Sequence, residues 1–169
     1  MADYPDVPAD FGHWLAGFID GEGSFVIRSW GTGWQLSMTL TLRLDDRAIL
    51  EKCVEATGLS NIRQYRRREA TSVPNARPVA VWVVVTKADC LRLVELLDRY
   101  PLRSKKARDF AIWREAVLVR ARMPRRGNKP HAWGTIPALA AQLKAVRRYV
   151  DAPDFETVPE QDPQEQLWE

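Results

Sequence analysis

The first apolar pattern in the chain predicts a helix that ends on glycines. Large apolar residues recur every three or four positions, the spacing that places side chains on one helical face. They are Phe11, Trp14, Leu15, Phe18 and Ile19. Pro8 and Asp10 supply helix-start signals, and Gly21 and Gly23 bracket Glu22 at the helix exit. A strand is expected to follow directly.

Alternation of polar and apolar residues predicts two strands over residues 24–30 and 35–44, joined by a turn containing Gly31 and Gly33. The core face of the second strand is Leu36, Met38, Leu40, Leu42 and Leu44. The opposite face of the two strands consists of Ser24, Val26, Arg28, Trp30, Gln35, Ser37, Thr39, Thr41 and Arg43. A solvated sheet surface has the same appearance, so alternation alone leaves binding and solvation open.

The remaining pattern adds two strands and three core helices. In order, it predicts a helix that Asp45 and Asp46 cap and Gly58 ends, strands over 61–68 and 79–86, a helix over 87–99, and a helix to about Arg122. The outward residues of the third strand are Asn61, Arg63, Tyr65 and Arg67. A basic connector and a short helix over about 137–150 follow.

Charge is unevenly distributed along the 169 residues, although the formal net charge is only +3. Residues 151–169 hold seven of the acidic side chains and no lysine or arginine, so residues 1–150 carry 25 basic and 15 acidic side chains. Such a basic body is typical of a nucleic-acid binder. The acidic, proline-containing tail is expected to be disordered.

Length and composition indicate one globular core with short additions, since 46% of the residues are hydrophobic and 28% are charged. No apolar run reaches the about 18 residues needed to span a bilayer, and the acidic start does not resemble a signal peptide. We therefore expect no membrane partner. Cys53 and Cys90 are expected to be reduced core thiols. The predicted division is an N-terminal extension (1–9), a core (10–123), a basic connector with a C-terminal helix (124–150) and the acidic tail (151–169).

The nine residues from Leu15 to Gly23 resemble the name-giving motif of the LAGLIDADG homing endonucleases. They read Leu-Ala-Gly-Phe-Ile-Asp-Gly-Glu-Gly and depart from the nine-letter pattern at Phe18, Gly21 and Glu22. The resemblance implies an α+β fold, with an αββαββα core and a four-stranded, antiparallel-type saddle sheet. The predicted elements match that order from residue 10 to about 122. On the local sequence alone, the alternative is a helix–strand corner with a solvated acid.

The same resemblance implies an assembly and a metal site. In the family two motif helices pack side by side, and one motif per chain implies a homodimer, with glycine at Gly17 allowing close contact. The last acid of the motif binds the catalytic metal, so Glu22 is the implied ligand, together with the main-chain oxygen of Gly21. Asp20 is a weaker candidate ligand. Oxygen ligands favour Mg2+, with Mn2+ or Ca2+ as substitutes.

Three basic residues are candidate catalytic groups. The run Pro101-Leu102-Arg103-Ser104-Lys105-Lys106 is similar to the family segment that carries a basic residue near the active site. It implies that Lys105 polarises the phosphate or the attacking water, the alternative being an ordinary helix-start residue. The family often has a water-ordering glutamine near the end of the second strand. This chain has none there, and Arg43 or Arg47 would substitute.

These expectations combine into a site-specific double-strand DNA endonuclease that hydrolyses phosphodiesters with divalent metal at a long, pseudo-palindromic target. Its polar sheet face would lie along the DNA major groove. The alternative is a relative without cleavage activity, acting as a maturase or transcription regulator. A dimeric RNA-binding protein is a third hypothesis, but Trp30 and Tyr65 offer few aromatics for stacking. No small-molecule substrate is expected, and the protein is expected with DNA in the cytoplasm, the nucleoid or an organelle.

Overall fold

The computed structural model describes residues 4–59, 61–65, 78–123 and 133–147. Its elements are α1 (Ala9–Glu22), β1 (Gly23–Trp30), β2 (Gly33–Arg43), α2 (Arg47–Thr57), β3 (Asn61–Tyr65), β4 (Val79–Val84), α3 (Lys87–Arg99), α4 (Lys106–Arg122) and α5 (Ile136–Val146). This order confirms the predicted core. Arg67, most of the basic connector and the acidic tail lie outside the described residues.

The four strands form one sheet in the order β1-β2-β4-β3, and every neighbouring pair is antiparallel. Leu40 in β2 pairs with Gly23 of β1 and with Trp82 of β4, and Trp82 in turn pairs with Ile62 of β3. The predicted α+β fold with a four-stranded antiparallel sheet is confirmed. Strands β2 and β4, the neighbouring pair farthest apart in sequence, occupy the centre of the sheet.

The helices cover one face of this sheet and enclose the core. Its fully buried large side chains include Leu15, Ile19, Phe25, Leu36, Met38, Leu40, Trp82, Leu93, Trp113 and Ile136. Each contributes about 1.5–3 kcal/mol through removal of apolar surface from water. The indole N–H of Trp82 donates to the carbonyl of Leu59 at 2.9 Å, so its polar tip is satisfied inside the core.

The end of α2 follows its predicted signal, the start of α2 departs from its predicted signal, and α3 has a cap that was not predicted. Gly58 ends α2 in the left-handed conformation, with φ of 67°. The Thr86 hydroxyl accepts from the Asp89 N–H at 3.1 Å and caps α3. The predicted capping of α2 by Asp45 and Asp46 is wrong: both lie in a 3-10 turn, and the Asp46 side chain makes no capping hydrogen bond.

The segment before α1 packs onto α3. The Tyr4 hydroxyl donates to Asp89 at 2.7 Å, and burial together with this hydrogen bond raises the pKa of Tyr4 to about 12. Arg92 donates to the Pro5 carbonyl at 2.9 Å, and Val7 is buried. Residues 4–8 therefore complete the core beside α3.

Helix α5 covers the outer edge of β1. The Arg147 guanidinium donates to Asp109 of α4 and to the main-chain carbonyl of Phe25 in β1, both at 2.6 Å. At the other end, the ring of Trp133 lies where a Gly33 side chain would stand, because a Cβ built there would be 2.7 Å from Cζ2. These contacts fix the helix against both α4 and the sheet.

Both cysteines are free thiols in the core, as predicted. Burial raises the pKa of Cys53 to about 11 and that of Cys90 to about 12, so both are protonated near neutral pH. Among the described residues, none of the helices has the length and apolar character needed to cross a membrane.

One close contact fixes the position of α1. Gly12 faces the Tyr100 ring, and a Cβ built at Gly12 would lie 2.3 Å from Cε2 of that ring. Tyr100 has no room to move, because it is 4% exposed and its hydroxyl donates to the Val7 carbonyl at 3.2 Å. The missing side chain at Gly12 is thus what lets the ring pack against the helix.

We predict that Gly12→Ala lowers the free energy of unfolding by about 1–3 kcal/mol, because the new methyl group overlaps the Tyr100 ring. Urea unfolding followed by circular dichroism measures the loss. In a Tyr100→Leu background the same change should cost little, because the ring is absent and alanine favours a helix by up to about 1 kcal/mol. Equal losses in both backgrounds would contradict the contact.

Candidate nucleic-acid interface and catalytic corner

The face of the sheet opposite the helices carries both polar and apolar side chains. Strand register aligns Ser24 with Thr39, Arg28 with Gln35, and Thr41 with Val81 and Arg63 across neighbouring strands. Alternation then places on this face Ser24, Val26, Arg28, Trp30, Gln35, Ser37, Thr39, Thr41, Arg43, Arg63, Val79, Val81 and Val83, and Asn61 and Tyr65 occupy the matching register positions of β3. We call this set the sheet face.

The sheet face contains those predicted outward residues whose side chains the structure describes, and it adds others. Arg67 lies outside the described residues, and Ser37 is 6% exposed, so its hydroxyl is less accessible than expected. Sequence reasoning missed Val79, Val81 and Val83, which form an apolar strip beside the polar side chains. Their strand is apolar on both faces, so alternation gave no signal there.

The charge of the sheet face is positive. Arg28, Arg43 and Arg63 are exposed on it, and no acidic residue occurs at its described positions. Two of these guanidinium groups already have partners. Arg28 donates to Gln35, and Arg43 donates through Nε to Asp45 at 3.1 Å, just past the end of β2.

Helix α1 leads into this face without a loop. Glu22 is its last residue and Gly23 begins β1, where a Cβ would lie 2.7 Å from the Ile19 carbonyl oxygen. Glu22 is exposed, and within the part of the chain that the structure describes its carboxylate has no hydrogen-bond or ion-pair partner. A free carboxylate therefore stands between the helix end and the first strand.

The Asp20 carboxylate, a candidate metal ligand, contacts the loop before α4. Its Oδ2 accepts from the main-chain N–H groups of Arg103 and Ser104 at 2.9 and 2.8 Å, and its Oδ1 accepts from the Ser104 hydroxyl at 2.7 Å. Partial burial raises the pKa of Asp20, but the hydrogen bonds from Ser104 and Arg103 and the nearby charge of Lys106 outweigh it and lower the pKa overall. Both oxygens are committed to the loop before α4.

Of the two adjacent lysines, Lys106 reaches back to α1. Its ammonium group donates to the main-chain carbonyls of Gly21 at 3.0 Å and Gly23 at 2.6 Å. Lys105 stands just before α4, exposed, and its ammonium group has no partner among the described residues. The sequence predicted a basic group near this corner, but spacing gave no signal that Lys106 holds the helix end.

The predicted water-ordering arginines lie past the start of β1, on the side of Gly23. Arg43 is three residues beyond Leu40, the partner of Gly23, or roughly 10 Å along β2. Arg47, at the start of α2, donates to Glu51 at 2.7 Å. The structure brings neither into contact with Glu22 within one chain.

The exposed side of α1 is flat and partly aromatic. Cβ atoms built at Gly17 and Gly21 would meet nothing within 4 Å. Trp14 is 46% exposed and lies between Phe11 and Phe18, with ring centroids 5.2 and 5.1 Å away. An apolar, glycine-bearing stripe thus faces outward beside Glu22.

One chain alone offers an incomplete oxygen site for a cation. Among the described residues, no group of three His, Cys, Asp or Glu side chains is placed to hold a metal ion. The Glu22 carboxylate and the Gly21 carbonyl are hard oxygen donors that suit Mg2+. Since the Gly21 carbonyl already accepts from Lys106, Glu22 is the stronger candidate ligand.

The sequence model described as LAGLIDADG endonuclease matches residues 15–117, which contain all four strands and both lysines. The chain belongs to the LAGLIDADG endonuclease family. The matched region ends before α5, so the helix on the β1 edge lies outside the LAGLIDADG match.

Curated relatives of this LAGLIDADG chain are named endonucleases. The chain is 25% identical over 114 residues to the probable intron-encoded endonuclease Cox1-I1b of Schizosaccharomyces pombe, covering 64% of this chain and 27% of that protein. It is 26% identical over 121 residues to the probable intron-encoded endonuclease 2 of Neurospora crassa, covering 70% and 24%. The chain thus spans about a quarter of the length of these relatives.

Solved structures with the same fold include a homing endonuclease and a meganuclease. The archaeal intron-encoded homing endonuclease I-Vdi141I, complexed with DNA, has a TM-score of 0.66 at 20% identity, covering 86% of this chain and 91% of that one. The meganuclease I-AabMI, bound to uncleaved DNA, has a TM-score of 0.54 at 28% identity, covering 64% and 36%. These matches confirm the predicted family and fold.

We predict that Asp20→Asn lowers stability by about 1 kcal/mol at neutral pH, because the charged acceptor of three hydrogen bonds is lost. A lowered folded pKa contributes stability above the unfolded pKa, and that contribution disappears as the pH falls through the folded value. The difference between wild type and variant should therefore shrink in acid. Urea unfolding at pH 7 and at low pH measures this.

Glu115→Gln is the matched control, since Glu115 is exposed on α4 and has no partner among the described residues. It should leave stability at both pH values close to wild type. A difference for Asp20→Asn that stays constant down to low pH would contradict the assigned hydrogen bonds.

Proposed function

We propose that this chain is a site-specific, metal-dependent double-strand DNA endonuclease that acts as a homodimer. The observation that carries the proposal is the position of Glu22, a carboxylate without a partner among the described residues. It stands where α1 runs directly into a sheet face that is positive and free of acids at its described positions. Membership of the LAGLIDADG family and the endonuclease names of the relatives support the same activity.

The sheet face suits the DNA major groove. Strand β2 has 11 residues and so extends roughly 36 Å, close to one turn of B-form DNA. Arginine pairs with guanine, glutamine and asparagine with adenine, and apolar groups with the thymine methyl. Arg63, Thr41 and the valines of β4 supply donors, adaptable hydroxyls and apolar contacts along that length.

Each chain supplies one Glu22, and cutting both DNA strands requires one such carboxylate for each strand. The proposed enzyme is therefore a homodimer. The exposed stripe of α1 offers Gly17 and Gly21 for close approach of a second helix, with Trp14 beside them. A two-fold axis along this contact would bring two Glu22 carboxylates together and align two sheet faces along one duplex. The target would then be long and pseudo-palindromic.

Glu22 of each chain, with the Gly21 carbonyl nearby, would hold divalent cations, for which Mg2+ is the best match and Mn2+ or Ca2+ are substitutes. When bound, such a cation supplies an activated water and stabilises the leaving oxygen at the phosphate. Lys106 is committed to the end of α1, so Lys105 is the ammonium group available to a phosphate. Arg43 or Arg47 would order solvent past the start of β1.

We predict that Glu22→Gln abolishes DNA cleavage and leaves binding within a few-fold of wild type, because the amide keeps the shape and loses the anionic ligand. A library of duplexes incubated with Mg2+ identifies the cleaved site, and a gel shift in Ca2+ measures affinity for it. Glu115→Gln should cleave normally. If the wild type binds one sequence tightly but never cuts, the chain is a cleavage-inactive binder such as a maturase or transcription regulator.

We predict that Gly17→Leu prevents dimerisation without unfolding the chain. In the monomer the new side chain enters open space, whereas in the dimer it would lie in the contact between the two α1 helices. Analytical ultracentrifugation gives the oligomeric state, and circular dichroism verifies the fold. Ala48→Leu on the exposed side of α2 is the matched control and should remain dimeric. A wild type that is monomeric both in solution and on DNA, yet cuts both strands, would contradict the dimer.

A further inference from the structure

Three side chains near the β1–β2 turn form a connected unit on the sheet face. Arg28 donates through Nε and Nη2 to Oε1 of Gln35, at 2.8 and 2.6 Å. The two residues are direct partners in the strand register. The Trp30 ring lies 5.0 Å from the Arg28 guanidinium carbon. We call Arg28, Trp30 and Gln35 the Arg28 unit.

The chemistry of the Arg28 unit fixes which groups remain free. A guanidinium has N–H donors and no acceptor, so the Gln35 atom facing it must be the amide oxygen. The two N–H groups of Arg28 occupy both lone pairs of that oxygen. The free groups are then the other N–H donors of Arg28, the amide N–H groups of Gln35 and the indole N–H of Trp30. The unit offers donors and no free acceptor.

A surface of donors discriminates among base edges. Guanine presents two acceptors, N7 and O6, in the major groove, whereas adenine pairs its N7 acceptor with an N6 donor. Glutamine normally recognises adenine by accepting from N6 with its oxygen. In this chain Arg28 already uses the Gln35 oxygen, so that pairing is blocked.

We propose that the Arg28 unit selects guanine and rejects adenine in the DNA target. This inference rests on the proposed function, because it requires the sheet face to bind DNA. The Trp30 ring contacts the guanidinium by a cation–π interaction and so restricts the Arg28 side chain before DNA binds. Arg28 would therefore lose less conformational entropy on binding. Trp30 is itself 65% exposed, so the unit is open to a duplex.

The strand geometry also gives the approximate place of the guanine. Arg28 follows Glu22 by six residues along an extended strand, a distance of roughly 20 Å. The recognised base pair should therefore lie several base pairs outside the cleaved phosphate, once in each half-site of a symmetric target.

Selection of full-length protein on a randomised double-stranded DNA library, with Ca2+ present, tests the proposal. The wild type should enrich one consensus with guanine at a column in the outer part of each half-site. Arg28→Ala releases the Gln35 oxygen, so the preferred base at the same column should change from guanine to adenine. The ratio of adenine to guanine at that column should rise roughly tenfold over wild type. Gln35→Leu should keep guanine there, because Arg28 still donates.

Arg99→Ala, on α3, removes the same charge away from the sheet face and should change no column. Enrichment of no sequence by the wild type would overturn the proposed function itself. A consensus in which Arg28→Ala changes no base, or weakens every sequence equally and lowers the salt dependence, would overturn only this inference. That pattern would identify Arg28 as a phosphate contact.

Discussion

The direct passage of α1 into β1 is the constraint on which the arrangement of this protein depends. A Cβ at Gly23 would overlap the carbonyl oxygen of Ile19, so only glycine lets the chain leave the helix and enter the sheet in one step. A loop at this point would separate the motif helix from the strand by a variable distance. Instead, the backbone at Glu22 has a fixed relation to the first residues of the sheet face.

Two charged side chains hold this corner against the start of α4, and each lies at the helix end that suits its charge. The Asp20 carboxylate accepts N–H groups before the N-terminus of α4, where the helix dipole favours an anion. The Lys106 ammonium group binds carbonyls at the C-terminus of α1, where the dipole favours a cation. The reciprocal pair fixes the loop that carries Lys105 beside the helix that carries Glu22.

Local patterns predicted the elements well because each follows from spacing of a few residues. Alternation located β1, β2 and their polar face, and Gly58 marked the end of α2. Long-range facts were less accessible. Nothing near Asp20 indicates that its partners are Arg103 and Ser104, more than eighty residues away. The choice between two adjacent lysines depends on how α4 is rotated against α1, which sequence spacing does not encode. Capping by Asp45 failed because its carboxylate pairs with Arg43 instead.

The packing of α5 has a consequence for how copies of this chain associate. An edge strand with free carbonyl and N–H groups invites pairing with the edge of another molecule. Along β1 that surface is covered, since α5 packs beside the strand and Arg147 occupies the carbonyl of Phe25. A strand of a neighbouring molecule would have to displace Arg147 to pair with β1 at Phe25. The homodimer proposed above uses the side chains of α1 and leaves this backbone edge unused.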